Sequence, residues 1–222
     1  AQTIAHLDDL AISLLRKFSP GPLTLVLPKK SVVPDLVTSG HPTVAIRIPN
    51  HPVALEVLRQ SGLCIAAPSA NPFGYTSPTT AQHVEEFLGP RIDAVLDGGT
   101  CDVGIESTII DLSGKRPKVL RLGGLPYEAL TEVLGELPLQ MSSSTPNAPG
   151  MLISHYNPGI SLRLFKSYSA LLSELNNTDS DRIGLLYSGK EIRVKFAVNL
   201  SRDVDLVEVA SKLFSALRSF NK

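Results

Sequence analysis

Two arginines stand inside otherwise apolar, strand-like stretches: Arg47 in TVAIRIP and Arg121 in VLRLGG. A guanidinium in such a place is costly without a partner, and its planar fork matches a carboxylate or a phosphate. The loops that accompany them are rich in small hydroxyl and amide side chains. LCIAAPSANPFGYTSPTT (63–80) passes from small apolar residues into Pro68-Ser69-Ala70-Asn71-Pro72, then Gly74, Ser77 and Pro78. Ser69 and Asn71 offer a hydroxyl and an amide without charge, in a loop that two prolines restrict. Ser77, read as the N-cap of a helix with Pro78 in its first turn, sits where backbone N–H groups and the helix dipole favour an anion. GIESTIIDL (104–112) sets Ser107 at the start of an apolar strand. No G-x-S-x-G elbow surrounds it, and none of the five histidines stands at a telling spacing. A ligand-binding hydroxyl therefore suits Ser107 better than a nucleophile.

Each feature also has a plainer reading. Residues 68–78 suit an ordinary turn and cap, Ser107 an ordinary strand start, and each arginine an internal ion pair or a side chain reaching for solvent. Two arginines near loops of small polar residues together favour an anionic ligand. GLLYSGKE (184–191) nearly fits a phosphate loop, but Glu191 replaces the Mg²⁺-binding hydroxyl and Leu185-Leu186-Tyr187 read as strand, so that motif is rejected. No Cys/His cluster has metal-ligand spacing, and no metal site is expected.

The elements that must position these residues follow from periodicity. Leu7, Leu10, Leu14, Leu15 and Phe18 repeat at helical spacing and stop at Ser19-Pro20-Gly21-Pro22. LTLVLP (23–28) and TVAIRI (43–48) read as strands, and a helix runs from Pro52 to Gln60 with Gly62 beyond it. A buried strand is expected at Leu63–Ala67 and further strands at 93–99, 107–112 and 118–124, with helices from Ser77–Pro78 to Gly89 and over 126–134. LPLQMSSSTPNAPGMLISHYNPG (137–159) has no sustained period and reads as a connecting arm. Beyond it, strands at 161–165, 182–187 and 194–200 alternate with helices near 167–175 and from Leu206 to Phe220, which suggests a small α/β unit. The expected division is 1–136, an arm at 137–159, and 160–222.

The 222 residues are 43% hydrophobic and 19% charged, ordinary for a globular protein, and carry a formal net charge of +0. No global basic field calls for nucleic acid. Cys64 and Cys101 adjoin apolar runs and are expected to be buried, reduced thiols. No apolar run approaches the ~20 residues of a membrane-spanning helix and no signal peptide opens the chain. A soluble, cytoplasmic protein is expected.

The segments SPGPLTLVLP, TVAIRIPNHP, AAPSANPFGYTSPT, LDGG, GIESTIIDL and VLRLGG occur in the order seen in YrdC-like domains. APGMLISHYNP (148–158) resembles the arm that joins this domain to a small Rossmann-like one in the longer members. The chain thus resembles the two-domain L-threonylcarbamoyladenylate synthases. The resemblance implies a YrdC-like twisted mixed sheet with helices, the arm, and a small Rossmann-like α/β domain. It implies an enzyme that condenses L-threonine, bicarbonate and ATP (with Mg²⁺) into threonylcarbamoyl-AMP and pyrophosphate, a partner complex then modifying tRNA. By resemblance Thr43, Ser69, Ser77 and Arg121 contact ATP, while Arg47, the Ala67 backbone and Ser107 hold threonine. Asn71 fixes the loop, and Tyr156 with Asn157 closes over the phosphates. No catalytic side chain is assigned.

Family members carry upstream a strand with a threonine-binding Thr, a Lys-x-Arg motif and an Asn-Pro-Leu segment. None is found here, and the chain opens without Met in a helical pattern. The expectation is therefore of a chain lacking the N-terminal part and the extreme C-terminus, whose residues alone do not complete the site. The alternative is a non-catalytic RNA- or nucleotide-binding fragment of the same fold.

Overall fold

The computed structural model describes residues 1–140, 156–178 and 183–220. Most of the expected arm, 141–155 with His155, lies outside the described residues. The described chain packs as two compact units, one from residues 1–69 and 106–140, the other from 70–105, 156–178 and 183–220.

The first unit is organised by one central strand. β1 (Leu23–Pro28) pairs antiparallel with β2 (Thr43–Arg47) and parallel with β3 (Thr108–Asp111). β3 pairs antiparallel with β4 (Lys118–Arg121), giving a mixed sheet of order β2-β1-β3-β4. Apolar character on both faces of LTLVLP matches its interior position, since five of its six residues are buried. β2, an edge strand, alternates instead: Val44 and Ile46 are buried, Ala45 and Arg47 exposed.

One sheet face forms the core. Leu23, Leu25, Leu27, Val44, Ile46, Ile110 and Val119 pack with Ala11 and Leu14 of α1 (Asp9–Phe18) and Leu130 of α5 (Tyr127–Leu134). Burying each such leucine contributes about 1.5–3 kcal/mol. Helix α1 begins because Asp8 accepts a hydrogen bond from the Ala11 amide at 2.8 Å and ends with Arg16 and Lys17 complementing its dipole. Short α2 (Asp35–Thr38) and α3 (Pro52–Ser61) flank β2 in sequence. Gly62 closes α3 in the left-handed conformation, as the sequence predicts.

The second unit contains α4 (Ala81–Leu88), a short 3₁₀ turn at Gly89–Arg91, and a smaller α/β part: α6 (Tyr168–Asn177), the parallel pair β5 (Gly184–Tyr187) and β6 (Phe196–Asn199), and α7 (Leu206–Ser219). A mixed-sheet α/β domain followed by a smaller α/β sheet domain is the expected fold class.

Four expectations need correction. The stretches 63–67, 93–99 and 161–165 form no strand, and Leu63, Leu96 and Leu164 are exposed. Strand propensity supplies no partner, and among the described residues neither edge of the sheet pairs with these segments. Ser77 is not a helix cap: α4 starts at Ala81, and Thr80 caps it by accepting from the His83 amide. Cys64 and Cys101 are reduced but exposed, because the apolar neighbours that suggested burial, Leu63, Ile65 and Val103, are exposed as well. Of the face expected for the last helix (Leu206, Val209, Ala210, Leu213, Leu217 and Phe220), Leu217 is buried and Val209, Ala210, Leu213 and Phe220 are half-buried, but Leu206 is exposed, and burial concentrates in the final turns at Phe214, Ala216, Leu217 and Arg218.

Candidate ligand site

The sheet face opposite the core carries the polar residues. Cross-strand register places Arg47 opposite Thr24, Thr24 beside Ile109, and Ile109 opposite Arg121. These four residues form one row, and paired positions share a face. Thr43 lies on the same face of β2, four residues before Arg47. The two arginine backbones stand three strand spacings apart, roughly 14 Å.

Arg121 reaches this face through a bulge. Val119 opposite Ile110 faces the core, so strict alternation would point Leu120 away from the core and Arg121 into it. The register instead shifts between Ile109 and Ile110. Leu120 becomes the extra residue and packs with Val26 and Ile109, while Arg121 takes its place in the row. A one-residue slip changes the face of everything beyond it, and a bulge is how a strand re-aims a side chain.

Ser107 links the row. Its Oγ lies 2.6 Å from Thr24 Oγ1, both groups buried, and accepts from Arg121 Nη2 at 3.1 Å. Arg121 Nε donates to the Ser107 carbonyl at 3.0 Å. Gly123 permits this closeness, since a Cβ there would meet the Glu106 carbonyl oxygen at 2.4 Å and the Ser107 carbonyl carbon at 2.5 Å. Next along the chain, Thr108 points the other way. Its hydroxyl is fully buried, donates to the Leu125 carbonyl at 2.6 Å and accepts from the Leu125 amide at 3.1 Å. Arg47 Nε donates to the Gly21 carbonyl at 3.1 Å, and the Gly21 amide donates to the Ile48 carbonyl at 2.9 Å, so the SPGP turn and the end of β2 hold one another.

Of the residues singled out in sequence, the first unit thus brings Arg47, Ser107 and Arg121 onto one face, with Thr43 further along it. Ala67 and Ser69 lie in the exposed 63–69 segment. The sequence reading missed Thr24. Its signal was a lone hydroxyl in LTLVLP, too common to stand out.

Asn71, Ser77 and Tyr156 belong to the second unit. Asn71 Nδ2 donates to the carbonyls of Pro72 and Tyr75 at 2.9 and 3.2 Å, which fixes the loop. Its Oδ1 is buried and has no hydrogen-bond partner among the described residues. Such an acceptor is unusual in a folded chain and suits a ligand donor. Tyr75 and Asn157 form a parallel bridge: the Asn157 amide donates to the Gly74 carbonyl at 2.8 Å and the Thr76 amide to the Asn157 carbonyl at 3.3 Å. The Ser77 loop and Tyr156 are therefore neighbours. Tyr156 adopts φ +62°, uncommon for a side chain of its size, and stacks on Phe214 with centroids 5.3 Å apart. Arg218, one turn beyond Phe214, is buried. Desolvation lowers its pKa from the ordinary value, and Glu86 opposes that shift. An arginine remains charged at neutral pH all the same.

The Sua5/YciO/YrdC family model, described as telomere recombination, matches residues 1–123. That of the threonylcarbamoyl-AMP synthase C-terminal domain matches 125–222. The chain belongs to the Sua5-type threonylcarbamoyl-AMP synthase family. It is 38% identical to the threonylcarbamoyl-AMP synthase of Pyrococcus abyssi, over 98% of this chain and 66% of that protein. The corresponding figures for the Bacillus subtilis synthase are 37%, 99% and 68%. The crystal structure of P. abyssi Sua5 complexed with L-threonine superposes with a TM-score of 0.87 at 37% identity, covering 98% of this chain and 67% of that one. The chain spans about two thirds of the length of these relatives.

The expectation of a fragment without its N-terminal part and extreme C-terminus is corrected by the two family matches. The two models match residues 1–123 and 125–222, so both family domains are represented.

Proposed function

We propose that this protein makes threonylcarbamoyl-AMP from L-threonine, bicarbonate and ATP with release of pyrophosphate. The observation that carries the reading is the shared face of Arg47 and Arg121, joined through Thr24 and Ser107, in a chain of this family. In it, Arg47 forks onto the threonine carboxylate, with Ser107 and the Ala67 backbone holding the rest of the amino acid. Thr43, Ser69, Ser77 and Arg121 contact ATP, and Asn71 and Tyr156 are further candidates for that ligand. P. abyssi Sua5 has been crystallised with L-threonine, which supports the amino acid as substrate.

The threonine amine would attack the bicarbonate carbon, and loss of water, carrying away an amine proton, would give the carbamate. A carbamate oxygen would then attack the α-phosphorus, and pyrophosphate would leave with its bridging oxygen and electron pair. Such chemistry rests on positioning and charge neutralisation, so no side-chain base is assigned. Among the described residues no group of three or more His, Cys, Asp or Glu side chains is arranged to hold a metal ion. Mg²⁺ would enter as an ion carried by the ATP phosphates.

The domain division is read as a YrdC-like part over 1–136, an arm over 137–159 and a small domain over 160–222. The product would pass to a tRNA-modifying partner complex acting on an adenosine beside the anticodon, in the cytoplasm. Among the described residues no helix is long and apolar enough to cross a membrane.

The deciding experiment measures pyrophosphate release by the intact protein. The expected result is release that requires threonine and bicarbonate together. Release without threonine would point to another carbamoyl-adenylate reaction. Salt-dependent tRNA binding without any release would favour the RNA-binding alternative.

A further inference from the structure

Helix α7 makes two side-chain grips on one face, a single turn apart. Phe214 stacks on Tyr156 at 5.3 Å. Arg218 Nη1 donates to the Thr76 carbonyl at 3.0 Å, and Nη2 donates to the His83 carbonyl at 3.2 Å. The Arg218 guanidinium carbon lies 4.5 Å from the Phe87 ring centroid. Both donor arms of a buried arginine thus end on backbone carbonyls 142 and 135 positions away in sequence, and its cationic face rests on an aromatic ring. The groups held are not scattered. Thr76 immediately precedes Ser77, and the Thr76 amide is bonded to Asn157, next to Tyr156. The helix backbone also lies directly on the loop at Gly104. A Cβ at Gly104 would meet the Ser211 carbonyl oxygen at 2.2 Å.

We infer that Arg218 is a positioning residue for ATP: through Thr76 it sets the loop that presents Ser77, and with Phe214 it makes α7 hold that loop and Tyr156 as one block. The inference rests on the reading of Ser77 as an ATP contact. Its physical basis is that a salt bridge would leave the loop's position to one mobile carboxylate, whereas two carbonyl acceptors fix the backbone itself. An arginine provides such a fork with its geometry already set. Burial also makes the arrangement selective, because no water replaces the lost donors easily.

The test uses the intact protein with Arg218→Met, which keeps the apolar stem, Arg218→Lys, which keeps the charge, and Ser77→Ala. Hydrogen exchange at the amides of 74–77 and 156–157 reads the block directly and does not depend on what Ser77 binds. Arg218→Met is expected to speed exchange in both segments together, with Arg218→Lys between it and the parent. Steady-state kinetics are expected to show KM for ATP raised about tenfold by Arg218→Met, with KM for threonine and kcat nearly unchanged. The Arg218→Met/Ser77→Ala double variant should be little worse than Ser77→Ala, because two residues acting through one contact are not additive. Unaltered exchange in both segments, or a lower melting temperature with KM for ATP unchanged in a protein where Ser77→Ala raises it, would overturn the inference. If Ser77→Ala leaves KM for ATP unchanged while exchange rises as expected, the assignment of Ser77 fails and the structural block stands, now without the ATP role.

Discussion

Arg47 and Arg121 occupy one cross-strand row of the four-stranded sheet, separated by Thr24 and Ile109. The two guanidinium groups lie on one face, each carried at the end of its strand. Neither is left to repel the other at close range, since the intervening strands hold their backbones about 14 Å apart. This separation suits a ligand with two anionic ends, a carboxylate and a phosphate.

Arg47→Ala is therefore expected to raise the threonine concentration needed for half-maximal pyrophosphate release by ten- to a hundredfold. Charge-assisted hydrogen bonds of about 1.5–3 kcal/mol correspond to that range. Arg47→Lys should recover only part of the loss, because an ammonium cannot fork. A threonine titration at saturating ATP measures both, and an unchanged KM in Arg47→Ala would remove Arg47 from the site.

Thr24 and Ser107 should be coupled. Their hydroxyls are 2.6 Å apart, and the Ser107 hydroxyl also accepts from Arg121. Thr24→Val and Ser107→Ala each leave a partner short of a hydrogen bond, at a cost of about 1–3 kcal/mol. The double variant should cost less than the sum by roughly 0.5–3 kcal/mol. Urea unfolding of the four proteins gives the coupling directly. Strict additivity would mean that the short contact carries no energy.

The elements that frame this row were legible in sequence because their signals are local. LTLVLP, a helix opened by Pro52 and closed by Gly62, and α1 with its leucines at helical spacing and its stop at Ser19-Pro20-Gly21-Pro22 all announce themselves within a few residues. The arginines were legible too, as charges within apolar strands. What was not legible depended on partners or on register. Leu63–Ala67 has strand composition but no ladder, and Thr80 outcompetes Ser77 for the cap because the turn before α4 runs three residues longer than Ser-Pro implies. The bulge at Leu120 has no sequence mark, yet it decides which face Arg121 uses. Thr43 and Ala67 entered through family resemblance alone, since neither residue type suggests a ligand.

Thr108 offers a test of the scaffold apart from chemistry. Its buried hydroxyl bonds both the amide and the carbonyl of Leu125, so it serves as a clamp between β3 and the start of α5. Thr108→Val keeps the shape and strands two backbone groups without partners. A loss of about 2–3 kcal/mol is expected, whereas Thr108→Ser should lose less than half of that. Equal unfolding midpoints for Thr108→Val and the parent would show that water or a local shift replaces the clamp.

Gly123→Ala joins the scaffold to the site. The added Cβ would fall 2.4 Å from the Glu106 carbonyl oxygen and 2.5 Å from the Ser107 carbonyl carbon, distances that backbone atoms cannot tolerate. The strand after Arg121 must move away from Ser107, at a cost of about 1–3 kcal/mol for overpacking. The same movement draws Arg121 Nε and Nη2 off the Ser107 carbonyl and hydroxyl, which they now meet at 3.0 and 3.1 Å. Stability and KM for ATP should therefore worsen together. Gly99→Ala serves as the control: nothing lies within 4 Å of its Cβ position, so only the strain of its φ of +85° is added. A matched loss of stability in both variants, with KM for ATP raised only in Gly123→Ala, would tie the ATP effect to the Arg121–Ser107 contact. KM raised equally in both would assign it to general loosening of the fold.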